Sequence, residues 1–140
     1  MFESHPVPPH HWPVRVYYED TDAAGVVYYA NYLKFCERAR TEWLRALGFE
    51  QQRLRDERGL VFVVHSLSAD YLRSAELDDA LVVESRVLEA GRAKLVFGQK
   101  ILRGAQALFE SKITVVCVNL SKKKPASLPD DLRALLEPLK

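Results

Sequence analysis

Tyr18-Glu19-Asp20-Thr21-Asp22-Ala23-Ala24-Gly25-Val26-Val27-Tyr28-Tyr29 lies between a strand-like segment and a helical one. Upstream, Val14-Arg15-Val16-Tyr17-Tyr18 alternates as a half-buried strand does. Downstream, Tyr29, Leu33, Cys36, Ala39, Trp43 and Leu47 recur at spacings of three and four, the apolar stripe of one long helix. Lys34, Glu37, Arg38, Glu42 and Arg45 fill its other faces, Arg38 and Glu42 are spaced for an ion pair, and Gly48 supplies the stop. The stretch itself crowds Glu19, Asp20 and Asp22 together, and neighbouring carboxylates disfavour one another's charge. Beside a helix N-terminus, however, an ionised carboxylate sits next to backbone N–H donors. A carboxylate beside such donors is the minimum equipment for attack on an acyl carbonyl.

From Leu60 onward the period changes. Leu60–Leu72, Ala80–Leu88, Ala93–Leu102 and Ala107–Leu120 are strand-like runs rich in Val, Ile, Phe and Tyr. Turns at Leu77–Ala80, Ala90–Arg92 and Arg103–Ala105 separate the last three of these runs from what precedes them and are too short for parallel crossovers, so the neighbours are antiparallel. Leu81, Val83, Ser85 and Val87 face one way and Val82, Glu84, Arg86 and Leu88 the other, which leaves one face buried and one partly wet. A short helical piece spans Glu50–Arg58, and Asp130–Glu137 reads as a terminal helix after a Lys122-Lys123-Lys124-Pro125 linker. One apolar helix stripe and one apolar sheet face satisfy each other. The expected class is α+β, a five-stranded antiparallel sheet wrapped around a long central helix, which is the hot-dog arrangement. Residues 1–13, with four prolines and three histidines, read as a flexible lead-in, and residues 14–140 as a single domain.

Composition narrows the function classes. The chain has 140 residues, 48% of them hydrophobic, enough for one domain with a core. Twenty basic against 19 acidic residues give no overall pull toward nucleic acid. No run is long enough to span a bilayer and no signal peptide opens the chain, so the expected location is cytoplasmic. Cys36 and Cys117, among apolar neighbours, are expected to be buried thiols rather than a disulfide. His5, His10 and His11 lack a nearby Cys or carboxylate cluster at ligand spacing, so no metal site is expected of them.

With these residues in view, the chain resembles the hot-dog acyl-CoA thioesterases. Tyr18 through Leu33, then Phe35-Cys36-Glu37-Arg38-Ala39-Arg40-Thr41-Glu42-Trp43-Leu44, are similar to the signature of the 4-hydroxybenzoyl-CoA thioesterase family. Within it, the likeness is greatest to the bacterial branch encoded beside the Tol–Pal envelope system. It runs from Val14 to about Pro129 and includes Val115-Val116-Cys117-Val118. The resemblance implies hydrolysis of an acyl-CoA to a free acid and coenzyme A, in the setting of lipid metabolism. It puts the acidic catalytic residue at Asp22 and the backbone N–H that polarises the thioester oxygen at Tyr29. Many relatives in that branch carry histidine where this chain has Tyr29, a departure that leaves a main-chain donor unaffected. The family further implies a homo-oligomer, a tetramer built from dimers whose sheets join and whose sites lie between subunits.

The residues themselves fit hydrolysis without a Ser-His-Asp set. No Gly-x-Ser-x-Gly occurs, and His65 is the only histidine beyond the first 13 residues. A carboxylate must then attack directly or take a proton from water, and the sequence leaves both routes open. Gly25, lacking a Cβ, lets the backbone bend closely around the carbonyl, and with Val26 and His65 it is expected to contact substrate. No cofactor is required. Asp22 also fits a helix N-cap, Glu19 and Asp20 fit supporting roles, and the rings of Tyr28, Tyr29 and Tyr32 fit core or interface packing. Glu37 is expected to pair with Arg40 or Arg38, His65 equally suits a structural role, and Lys122–Lys124 either meet coenzyme A phosphates or are simply solvated. The alternative function is a non-catalytic module that binds an acyl chain or acyl carrier protein. A hot-dog dehydratase is disfavoured, because it pairs a histidine with a carboxylate and only His65 is available.

Overall fold

The computed structural model describes residues 9–136. Its long helix, α1, spans Asn31–Ala46, about 24 Å of axis. Five long strands surround it: β1 (His10–Arg15), β2 (Leu60–Tyr71), β3 (Ala80–Ala90), β4 (Lys94–Arg103) and β5 (Gln106–Asn119). Every pairing is antiparallel and the order is β1-β3-β4-β5-β2, so β2 forms one edge and β1 the opposite one. The β4–β5 hairpin turns over two residues, with Gly104 at φ 62°, where a side chain would be strained. On β3 the alternation holds: Leu81, Val83, Ser85 and Val87 are buried while Arg86 and Leu88 are exposed. Phe35, Cys36, Ala39 and Trp43 of α1 close the core with Leu95, Phe97, Ile101, Phe109 and Ile113 from the sheet.

Several boundaries differ from the sequence reading. The first strand begins at His10, not Val14, so part of the expected lead-in belongs to the sheet. Pro13 is accommodated there because β1 is an edge strand, where a missing N–H breaks no ladder. The expected lead-in over residues 1–8 lies outside the described residues, and so does His5. A sixth strand, β6 (Lys124–Pro125), pairs with the end of β5 where a linker was expected. The helix stripe is shifted: Tyr32, Phe35, Arg40 and Leu44 are buried, whereas Tyr29 is 61% exposed. Tyr29 lies in the turn before the helix, so helical spacing does not apply to it. The Arg38–Glu42 pair does not form; Glu42 is taken by Arg45 at 2.6 Å.

After α1 the chain makes one turn of helix, α2 (Gln51–Arg53), widens into a π-type turn at Leu54–Arg58 and enters β2. The last helix, α3 (Asp130–Leu136), buries Leu132 and Leu136. No helix among the described residues is long and apolar enough to cross a membrane.

Candidate active site

The acidic stretch folds into a small closed loop. Tyr18–Asp20 form one 3-10 turn, and the Asp20 carboxylate accepts the Tyr17 N–H at 2.8 Å. Thr21 and Val27 then bridge across the loop, the Asp22 N–H donates to the Val26 carbonyl at 2.9 Å, and the Gly25 N–H returns to the Asp22 carbonyl at 3.0 Å. Gly25 has φ 81° with open space around it, so the reason for glycine is the backbone turn rather than a close approach. The Asp22 side chain accepts the Ala24 N–H through Oδ1 at 2.9 Å, an Asx turn that fixes its direction. Its Oδ2 has no partner among the described residues, and the residue is exposed. Asp22 caps no helix, since α1 starts nine residues later and Ala30 is its N-cap.

Asp20 joins this loop to the helix. Its carbonyl accepts both the Tyr28 N–H and the Asn31 side-chain amide, each at 2.9 Å. The first turn closes on itself: Asn31 N–H bonds the Tyr28 carbonyl, Tyr32 N–H the Tyr29 carbonyl and Leu33 N–H the Ala30 carbonyl. The backbone N–H of Tyr29 is left without a partner among the described residues, at the positive end of α1. Val26 bridges to Glu76, and the Val27 N–H donates to the Ala75 carbonyl at 2.8 Å, tying the loop to the segment ahead of β3.

Aromatic side chains wall this end of the molecule. Tyr29 packs on Tyr28 and meets Tyr71 edge-on, while Tyr32 stacks on Phe109. Tyr32 is core, its phenol raised chiefly by burial, but Tyr28 and Tyr29 are exposed in the single chain. The Tyr28 phenol is held above its ordinary value first by its hydrogen bond with Tyr29, then by that neighbour's charge and by burial, and last by the Asp22 charge. His65 is not drawn into this cluster. It is the extra residue of a β-bulge on the exposed edge strand β2, and it shares no bond or ring contact with Asp22.

Residues 16–136 match the model of the thioesterase-like superfamily. This chain belongs to that superfamily. It is 50% identical over 129 residues to the acyl-CoA thioesterase YbgC of Haemophilus influenzae, covering 92% of this chain and 95% of that one. It is 48% identical over 124 residues to the acyl-CoA thioester hydrolase YbgC of Escherichia coli, covering 88% and 92%. The crystal structure of a probable thioesterase from Bartonella henselae superposes with a TM-score of 0.82 at 37% identity, over 86% of this chain and 99% of that one. The hot-dog fold is thereby established for this member of the thioesterase superfamily.

One feature of this thioesterase-superfamily chain escaped the sequence reading. Arg40 sits on the buried side of α1 and is only 9% exposed. It donates to the Gln99 side-chain oxygen at 2.9 Å, and Gln99 in turn donates to the Cys36 carbonyl at 3.0 Å and to the Ser85 hydroxyl at 2.9 Å. Its position four residues after Cys36, in phase with the stripe, was the available signal. Among the described residues Glu37 makes no close ion pair with Arg40 or Arg38, although its charge still acts on the Arg40 guanidinium. Arg40 and Glu37 instead line two adjoining hollows between the helix and the sheet, into which Val64 also projects. Elsewhere, His10 stacks on Trp43 and His11 approaches Glu84 at 3.3 Å. Cys36 and Cys117 are separate buried thiols, and burial pushes Cys36 up to about 12. Lys122, Lys123 and Lys124 are exposed at the β5–β6 turn.

Proposed function

We propose that this chain hydrolyses acyl-CoA thioesters to a free acid and coenzyme A, with Asp22 as nucleophile or general base. The observation that carries this reading is the Tyr29 N–H, without a partner among the described residues at the start of α1, in the same hydrogen-bonded loop as an exposed carboxylate with one unengaged oxygen. The thioester oxygen takes the Tyr29 N–H, which stabilises the negative charge that develops on it; a donor of this kind contributes roughly 2.7–4 kcal/mol. In the nucleophilic route Asp22 Oδ2 bonds to the carbonyl carbon, the C–S bond breaks, coenzyme A leaves as thiolate, and water then cleaves the mixed anhydride. In the general-base route Asp22 takes a proton from water, and the oxygen of that water attacks the same carbon. Gly25 and Val26 shape the loop beside the thioester.

Asp22→Asn tests the proposal directly, because the amide oxygen can still accept the Ala24 N–H while the charge is gone. Thiol release should fall by about 10²–10⁴-fold with the far-UV spectrum unchanged. Near-wild-type turnover would remove Asp22 from the mechanism, whereas no thiol release by wild type from any acyl-CoA would favour a binding module for acyl chains or acyl carrier protein.

The same reading extends to assembly and setting. Val63, Val64, Leu67, Tyr71 and Leu72 are exposed along the free edge of β2, a surface that a second sheet would cover. Joining two β2 edges brings the exposed Tyr28, Tyr29 and Tyr71 rings, and His65, toward a partner subunit. The unit proposed is a dimer of this kind, paired again into a homotetramer, acting in the cytoplasm on acyl groups of lipid metabolism. Acyl carrier protein is the second carrier to test.

A further inference from the structure

Arg40 is a buried cation without a buried anion. Of its five N–H donors, one meets the neutral amide of Gln99, and the others have no partner among the described residues. Burial disfavours such a charge unless something anionic or strongly polar faces it. The space for that group is present. One hollow, about 270 Å³, runs from Leu33 and Lys34 in the first turn of α1 to Arg40, roofed by Leu67 and Ile113 of the sheet. It adjoins a tighter cavity of about 130 Å³ under Phe62, Phe97 and Val115, which Arg40 also lines. At ~30 Å³ per water-sized group, that cavity holds roughly four such groups. Glu37 lines both hollows from the exposed side of the helix and Lys34 only the larger one, so Arg40 is the cation common to the two, with the Glu37 charge acting on it without bonding to it.

Length follows from the helix. Gln99 bonds both Arg40 and the Cys36 carbonyl, so the guanidinium lies back at the level of Cys36, toward the helix N-terminus. From Ala30 to Cys36 the axis rises roughly 9 Å. A five-carbon acyl chain covers about 5 Å of that span at ordinary bond lengths, and a charge-assisted hydrogen bond adds ~2.8 Å.

Building on the thioesterase reading above, we propose that Arg40 binds a carboxylate at the far end of the acyl group, so that this chain takes short ω-carboxyacyl thioesters. A planar guanidinium with a free edge suits a carboxylate. A neutral chain end leaves the same charge facing hydrocarbon.

The test compares thiol release from glutaryl-CoA and pentanoyl-CoA, which have equal numbers of acyl carbons. Wild type should favour glutaryl-CoA at least tenfold in kcat/KM, with the difference carried by KM. Arg40→Met should bring the ratio of the two to within about threefold of unity. Equal or better hydrolysis of pentanoyl-CoA by wild type overturns the inference, and this comparison does not depend on the variant folding. A folded Arg40→Met protein that keeps the preference overturns it as well. Hydrolysis of pentanoyl-CoA without charge preference sinks only the role of Arg40, whereas no thiol release from any short, long or aromatic acyl-CoA sinks the thioesterase reading itself.

Discussion

The Tyr32 hydroxyl accepts the backbone N–H of Ala75 at 2.9 Å, pinning the first turn of α1 to the segment that precedes β3. Ala75 is fully buried, and its carbonyl accepts the Val27 N–H from the site loop. One phenol therefore links the helix start, the loop carrying Asp22 and the sheet. Tyr32→Phe removes the one partner that this buried N–H has among the described residues and should destabilise the fold by about 1–2 kcal/mol. Urea denaturation measures it: a lower midpoint at unchanged slope is expected, and an unchanged midpoint would show that the Ala75 N–H finds another acceptor.

Tyr29 separates main chain from side chain. Its ring is largely exposed and packs on Tyr28 and Tyr71, while its N–H points from the helix start. Tyr29→Phe keeps both the ring and the donor, so thiol release should stay within about threefold of wild type, far from the effect of losing an oxyanion donor. A loss beyond tenfold in a folded protein would assign the chemistry to the phenol.

The parts of this fold legible in the sequence are those governed by period. The strands at 60–71, 80–90, 94–103 and 106–119 follow from β-branched runs and short turns, and each boundary lies within two residues of expectation. The loop at 18–29 is legible as a candidate site because an acidic cluster around a glycine is costly without a purpose. What was not legible depends on tertiary position. Pro13 reads as a strand breaker until β1 is known to be an edge. Tyr29 reads as helix stripe until the Asn31–Tyr28 hydrogen bond sets the start two residues later. Arg40 reads as an ion-pair partner for Glu37, and although it lies in phase with the helix stripe, the buried amide that receives it, Gln99, is 59 residues away.

Asp79 makes part of the stability acid-sensitive. Burial pushes its carboxyl up, but the Glu76 N–H at 2.8 Å and the Arg103 guanidinium at 2.7 Å together outweigh this and leave it below its ordinary value. A carboxylate depressed in the folded state stabilises it above the unfolded pKa, and that contribution is lost as pH falls through the folded pKa. The loss therefore begins near pH 4 and continues below it. Wild type should be more stable than Asp79→Asn at pH 7, and the gap should be smaller in an acidic assay below about pH 4. Urea midpoints at both pH values decide it, and a gap independent of pH would make Asp79 a steric support only.

The free edge of β2 carries the assembly prediction. It bonds to β5 on one side only, and Val63, Val64 and Leu67 stand exposed along it at 45–49%. An unpaired, apolar edge invites another strand, and lysine on such an edge opposes it. Val63→Lys places a charge there without touching the Asp22 loop or the Arg40 hollows, whose linings do not include Val63. Sedimentation should show wild type at a multiple of the 16.0 kDa chain and the variant shifted toward a single chain. If the sites lie between subunits, thiol release should fall together with the mass, and raising the protein concentration should restore both. A wild-type monomer at micromolar concentration would leave the β2 edge without a partner of its own kind. Full activity in a monomeric Val63→Lys protein would confine the catalytic residues to one chain, with Asp22 and the Tyr29 N–H sufficient by themselves.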